Sequence, residues 1–127
     1  MAGPLSGVRI VDLSAVVSGP MATGLLADQG ADVIKVEAEG GDMTRRIGPM
    51  QGDLSPLFAS INRGKRSIVL DLKQAAAREV LRDLLATADV LVENFRPGAM
   101  QRLGFDWEAV HTLNPRIIYL SISGFGQ

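Results

Sequence analysis

Two short apolar runs separated by a helix-sized segment constrain the fold of this chain most strongly. Residues 9–13 (RIVDL) and 32–37 (DVIKVE) have the composition of buried strands in a parallel sheet. The apolar and small side chains of residues 21–29 fit a short helix packed on that sheet, and Gly30 stands where such a helix would end. The stretch therefore predicts a β-α-β unit, with a crevice at the carboxyl ends of its strands.

The same alternation continues to the end of the chain. The sequence predicts strands over residues 67–70, 89–92 and 116–122, and helices over residues 56–62, 74–87, 97–102 and 107–113. Residues 43–55 carry glycine, proline and scattered charge, so we expect an irregular loop there that could cover a site. The predicted class is α/β, a Rossmann-like, mostly parallel sheet with flanking helices.

Composition narrows the range of functions. The chain has 127 residues, one domain or part of one, and its 13 basic and 14 acidic residues give no field that would favour nucleic acid or a membrane surface. It contains no cysteine, which excludes a thiolate nucleophile and Cys-ligated metal and fits a cytoplasmic protein. With a single histidine, His111, we predict no metal site, and His111 itself is expected to be structural.

Three segments, in order, resemble the family III CoA-transferases, which include formyl-CoA transferase, carnitine CoA-transferase and α-methylacyl-CoA racemase. The segments are residues 18–37 (SGP…LLADQGADVIKVE), 62–73 (NRGKRSIVLDLK) and 90–104 (VLVENFRPGA…LG). Family members are several times longer. The resemblance therefore implies that residues 1–127 are the N-terminal part of the large, CoA-binding domain and that the rest of the enzyme lies outside this chain.

The resemblance also implies which residues contact CoA. They are Val17, Ser18, Leu70, Asp71, Leu72, Lys73, Asn94, Phe95, Arg96 and Arg102. Two positions depart from the family: Ala38 replaces an arginine that stacks on adenine in several members, and Arg96 replaces a glycine of formyl-CoA transferase.

The residues alone leave other roles open. Residues 14–19 also suit a plain strand-to-helix loop, Asn94 a turn, Phe95 the core and Arg102 an exposed helix position. The basic cluster of residues 63–66 suits either phosphate binding or solvated surface. For the scattered carboxylates we expect caps and surface charge; they are Asp12, Asp28, Asp32 and Asp71.

The implied activity is transfer of CoA from an acyl-CoA to a carboxylic acid, with CoA and acyl-CoA as substrates and no permanently bound cofactor. The family's nucleophile is an aspartate that would lie beyond Gln127, so we predict no catalytic residue within this chain. The resemblance further implies an interlocked homodimer. Two alternatives stay open: an α-methylacyl-CoA racemase with a downstream His and Asp, and a non-catalytic CoA- or nucleotide-binding module.

Overall fold

The computed structural model describes residues 2–127, which form one five-stranded sheet with helices on both faces. The strands are β1 (Arg9–Asp12), β2 (Asp32–Glu37), β3 (Arg66–Val69), β4 (Val90–Glu93) and β5 (Ile118–Ser121). The helices are α1 (Ser18–Asp28), α2 (Pro56–Ile61), α3 (Ala75–Ala86), α4 (Ala99–Leu103) and α5 (Trp107–Leu113). A 3₁₀ turn spans Met43–Arg46.

All neighbouring strands are parallel, in the order β3-β2-β1-β4-β5. The predicted α/β class is confirmed. The strand order reverses between β1 and β4, and in such sheets a crevice opens at that point, outside the carboxyl ends of the strands. None of the helices within residues 2–127 is long and apolar enough to cross a membrane.

Helix α1 begins earlier than the sequence predicts. It starts at Ser18, where the N–H of Met21 already donates to the carbonyl of Val17 at 2.8 Å. Pro20 is accommodated because the first turn of a helix leaves its N–H groups without intrahelical partners. The connection from β1 to α1 is therefore shorter than the predicted loop of residues 14–19. The predicted irregular loop of residues 43–55 also contains the 3₁₀ turn.

Side chains that alternate along the strands build a separate core on each face. Val11 and Leu91 are neighbours in register and pack with Leu81, Leu85 and other residues of α3, α4 and α5. On the opposite face, a smaller core lies under α1; its buried members are Ile10, Ala31, Val33 and Val92. Because Asp12 and Lys35 lie two residues beyond Ile10 and Val33 on their strands, both side chains point to the α1 face.

The amino edge of the sheet carries exposed ion pairs. Asp32, at the start of β2, joins Arg9 of β1 at 3.2 Å and Arg66 of β3 at 2.7 Å. The side chains are between about a third and two-thirds exposed. Pairs that stay in contact with water contribute little to stability.

Asp106 caps helix α5, and removing the cap tests the local structure. Its carboxylate accepts the N–H of Ala109 at 3.0 Å. We expect Asp106→Ala to lower the free energy of unfolding by about 1 kcal/mol, measured by urea denaturation. Gln74 occupies the same position of α3 without a side-chain cap bond, so Gln74→Ala is the matched control. An equal loss in both variants would contradict this assignment.

Candidate functional site

A cavity of about 420 Å³ opens at the carboxyl edge of the sheet. Its walls come from four chain segments that follow the strands β1 to β4. They are residues 13–15 after β1, Ala38 and residues 41–43 after β2, residues 70–73 after β3 and Phe95 after β4. Leu103 of α4 closes one side. The lining is mostly apolar, with carboxylates and ammonium groups at its base and rim, a composition that suits a small-molecule site.

A second hollow of about 510 Å³ adjoins the first. It is lined by Ser18, Asn94, Arg96 and residues 122–124, and Phe95 belongs to both hollows. Phe95 is thus the shared wall between the cavity and the second hollow beside the start of α1.

The residues implied by the resemblance divide between these two hollows. The four residues 70–73 and Phe95 line the cavity, and Ser18, Asn94 and Arg96 line the second hollow with Phe95. Val17, 41% exposed, lines neither hollow, and nor does exposed Arg102 on α4. Their contact with CoA stays a prediction.

The backbone between β1 and α1 is held by side chains from other elements. Asn94 pairs with both polar groups of Ala15: its carbonyl oxygen accepts the Ala15 N–H at 2.9 Å, and its amide donates to the Ala15 carbonyl at 2.8 Å. Val16 next to it has a φ of 69°, a left-handed conformation that is unfavourable for a β-branched residue. Asn94 is therefore a support of this loop rather than a simple turn residue.

Two buried ion pairs lie beneath this loop. Lys65 Nζ is 3.0 Å from Asp12 Oδ2, and Lys35 Nζ is 2.9 Å from Asp42 Oδ2, with all four side chains at most 2% exposed. Asp12 also accepts hydrogen bonds from Thr23 and from Ser14. Burial lowers the pKa of Lys65, and the charge of Asp12 opposes that change. The expectation of a cap or surface charge is wrong for Asp12, because the fold closes α1 over its carboxylate.

Lys35 and Asp42 connect the base of the cavity to the loop above it. Lys35 donates to the carbonyl of Ser14 at 2.9 Å, and Asp42 Oδ1 accepts the N–H and hydroxyl of Thr44 and, at 3.4 Å, the N–H of Val16. Burial would raise the pKa of Asp42, but the bonds from Thr44 and Lys35 outweigh it and lower that pKa. Asp42 Oδ2 accepts no well-directed hydrogen bond; its contact with Lys35 is an ion pair.

Glu37 anchors the segment that forms the outer wall of the cavity. Arg45 of the 3₁₀ turn binds both of its oxygens, at 2.8 and 2.5 Å, and stacks over the ring of Phe58. Burial alone would raise the pKa of Glu37, but bonds from Arg45, from Ser67 and from the Asp42 N–H lower it to about 2. The fork geometry of arginine fixes the turn against the end of β2.

The cations of the basic cluster, residues 63–66, all pair with carboxylates of this chain. Arg63 pairs with Asp28 and Arg66 pairs with Asp32, while Lys65 is buried against Asp12. Because each charge is already neutralised within the chain, this pairing favours a structural or surface role over phosphate binding. The expectation of solvated surface holds for the two arginines only.

Other sequence expectations are placed by the structure as follows. Asp71 caps its own turn, since the N–H of Lys73 donates to its carboxylate at 3.1 Å. His111 stacks on Trp107 at 4.5 Å between ring centroids, away from both hollows. Within residues 2–127, no three carboxylate or imidazole groups converge as metal ligands would. Ala38 lines the cavity with a methyl group in place of a longer side chain.

Sequence reasoning missed the four residues of the two buried ion pairs, and it missed Arg45. A signal was present for two of them, because Asp12 and Lys35 each interrupt an otherwise apolar strand. Opposite charges within adjacent buried strands indicate an internal ion-pair network. The partners Asp42 and Lys65 lie in connecting segments, where charge is normally exposed, and carried no such signal.

Comparison with known proteins gives one consistent family. A family model described as "CoA-transferase family III" matches residues 5–127. The acetyl-CoA:oxalate CoA-transferase of Acetobacter aceti is 52% identical over 126 residues, which cover 98% of this chain and 32% of that protein. The succinate–glutarate CoA-transferase of Agrobacterium fabrum is 48% identical over 132 residues, covering 98% of this chain and 33% of that protein.

A solved structure gives the same result as the sequence comparison. The crystal structure of a CAIB/BAIF family protein from Brucella suis has a TM-score of 0.94 and 44% sequence identity, covering 99% of this chain and 35% of that one. The chain thus spans about a third of the length of the relatives that it matches.

Proposed function

Since the chain belongs to CoA-transferase family III, we propose that it binds the nucleotide end of an acyl-CoA and that the protein moves CoA to a carboxylic acid. The observation that carries the proposal is the cavity at the carboxyl edge of the sheet. Three segments that are far apart in the sequence, residues 13–15, residues 70–73 and Phe95, meet in it. The last two belong to the segments on which the resemblance depends.

The chemistry of the walls supports this assignment. Apolar side chains such as Leu13, Leu72 and Phe95 suit a flat heterocycle, and Lys73 is exposed at the rim and outside the ion pairs described for residues 2–127. An ammonium group on a flexible stem can reach a phosphate. The carbonyls of Leu72 and Lys73 are held by Arg78, both at 2.9 Å, so the backbone that faces the ligand is fixed.

The proposal assigns contacts to both hollows. In the cavity they are Leu70, Asp71, Leu72, Lys73 and Phe95; beside it they are Ser18, Asn94 and Arg96, with Val17 and Arg102 reaching the ligand from outside. In this arrangement the ligand crosses the shared wall at Phe95. The thioester end then points away from the sheet, toward a reacting group that another part of the protein supplies.

For the transfer itself we propose a covalent relay on an aspartate outside residues 2–127. The carboxylate attacks the thioester carbonyl and expels the CoA thiolate, which leaves a mixed anhydride. The thiolate then attacks the aspartyl carbonyl and releases the donor acid. The acceptor carboxylate attacks the aspartyl thioester and frees the thiolate again, which finally takes the acceptor's acyl group and restores the aspartate. We extend the proposal to a homodimer as the functional form.

Isothermal titration with CoA, run beside an assay of CoA transfer between acids, tests the function. We expect the protein to bind CoA, and hydroxylamine trapping with mass spectrometry to locate the acylated carboxylate outside this chain. A protein that does not bind CoA would refute the proposal. Exchange of an α-proton without transfer to an acceptor acid would instead identify a racemase.

Lys73 offers a test of the cavity itself. Because a charge-assisted contact to a phosphate is lost, we expect Lys73→Ala to weaken CoA binding about tenfold by isothermal titration. Arg116→Ala removes the same charge from an exposed position before β5, at the opposite edge of the sheet, and should leave the affinity within about twofold. Equal affinities of the two variants would place the ligand elsewhere.

A further inference from the structure

The turn between β1 and α1 has side chains from three other segments bound to its backbone. Lys35 of β2 binds the Ser14 carbonyl, Asn94 after β4 binds both polar groups of Ala15, and Asp42 reaches the N–H of Val16. Backbone groups of short loops are more often satisfied by water or by the loop itself. Here three side chains, those of Lys35, Asn94 and Asp42, hold the backbone of the turn by hydrogen bonds.

These hydrogen bonds hold the turn in a backbone conformation that is unfavourable for its sequence. Val16 has a φ of 69°, and its Cβ branch makes the left-handed region costly. Strained residues persist only where their surroundings over-determine them, and they cluster at ligand-binding sites. Val16 is 41% exposed, so core packing does not account for its shape.

The buried ion pair of Lys35 and Asp42 also connects two walls of the cavity. Lys35, Asp42 and Ser14 all line it, and Asp42 begins the 3₁₀ turn that carries Met43 along the outer wall. A purely stabilising ion pair requires neither a contact with the turn nor a position in the cavity wall. The pair of Lys35 and Asp42 contacts the turn and also lines the cavity.

We propose that Lys35 and Asp42 are positioning residues for CoA: they hold the strained turn of residues 14–16 in its binding shape before the ligand arrives. The inference rests on the proposed CoA binding and adds a preformed nucleotide loop to it. Preorganisation of this kind raises affinity because the cost of ordering the loop is met during folding.

The Asp42→Asn variant, made in the protein at its natural length, tests the role. The amide keeps the size of the side chain but leaves Lys35 without its counter-charge, so we expect CoA affinity to fall at least tenfold by isothermal titration. Asp28→Asn, which breaks the exposed pair with Arg63, is the matched control and should bind CoA like the wild type.

A rescue separates positioning from general destabilisation. Glycine adopts positive φ without strain, so adding Val16→Gly to Asp42→Asn should recover at least threefold of the lost affinity. A purely structural role of Asp42 predicts no recovery, because the glycine does nothing for the unpaired Lys35. Near-wild-type affinity of Asp42→Asn, or absence of rescue, would overturn the inference; a wild type that does not bind CoA would instead refute the proposed function.

Amide hydrogen exchange of the wild type gives a second test that needs no variant. In the ligand-free protein, the N–H groups of Ala15 and Val16 should exchange slowly, in the range of the α1 interior, because side chains already hold them. Rapid exchange that slows only after CoA is added would mean that the ligand forms the turn, and would overturn the inference even if Asp42→Asn does not fold.

Discussion

Replacing Asp12 by asparagine is expected to lower the free energy of unfolding by about 3–5 kcal/mol, the largest single effect among the substitutions considered. The carboxylate is fully buried and 3.0 Å from Lys65, so its loss leaves an uncompensated ammonium beneath α1. Asparagine has nearly the same volume, and the effect therefore reports the lost charge and the lost acceptor oxygen and not a cavity. Urea denaturation followed by circular dichroism measures the change.

Two comparisons sharpen this result. The double variant Asp12→Asn with Lys65→Met should be more stable than the sum of the single effects predicts, because removing both charges removes the unpaired one. Asp28→Asn, which breaks an exposed pair, should leave the urea midpoint unchanged. Equal sensitivity of Asp12 and Asp28 would show that the buried pair has no special weight.

The second large effect is a loss of stability in acid that depends on Glu37. Its pKa is lowered from 4.5 to about 2, so the folded state holds the ionised form more strongly than the unfolded chain does. The resulting stabilisation is fully present above pH 4.5 and is lost as the pH falls toward 2. It amounts to about 2 kcal/mol once the partial exposure of Arg45 is taken into account.

The measurement is a difference between variants. We expect the stability gap between wild type and Glu37→Gln, from urea denaturation at a series of pH values, to narrow between pH 4.5 and pH 2. Glu39→Gln, at an exposed position two residues away, is the matched control for the loss of one carboxylate from this part of the chain. A gap for Glu37→Gln that does not change with pH would contradict the bonding described around its carboxylate.

Much of the fold could be predicted from local pattern. Local sequence patterns predict β1 and β2 from their apolar runs and α3 from apolar residues at helical spacing. Asp106 caps α5, as its place directly before that helix indicates. The extra turn at the start of α1 was missed because proline at position 20 reads equally well as the last loop residue or as part of a first turn.

The cavity could be anticipated only in outline. Parallel strands bring their carboxyl ends together, so the meeting of residues 70–73 with Phe95 follows from topology. The hydrogen bonds to the backbone of residues 14–16 could not be predicted, because they join Asn94 to Ala15 and Asp42 to Val16 across long sequence separations. Charge patterns along one segment do not reveal which distant partner will neutralise them.

The two edges of the sheet differ in how much chemical change they can accept. At the amino edge, Asp32, Arg9 and Arg66 form ion pairs that stay partly exposed to water, whereas the two ion pairs beneath the turn at the carboxyl edge are buried. A dye, an affinity handle or a surface tether attached near Arg9 or Arg66 would lie beside these partly exposed ion pairs. Within residues 2–127, the amino edge is thus the better point for immobilisation in a biosensor, because it lies opposite the cavity for which CoA binding is proposed.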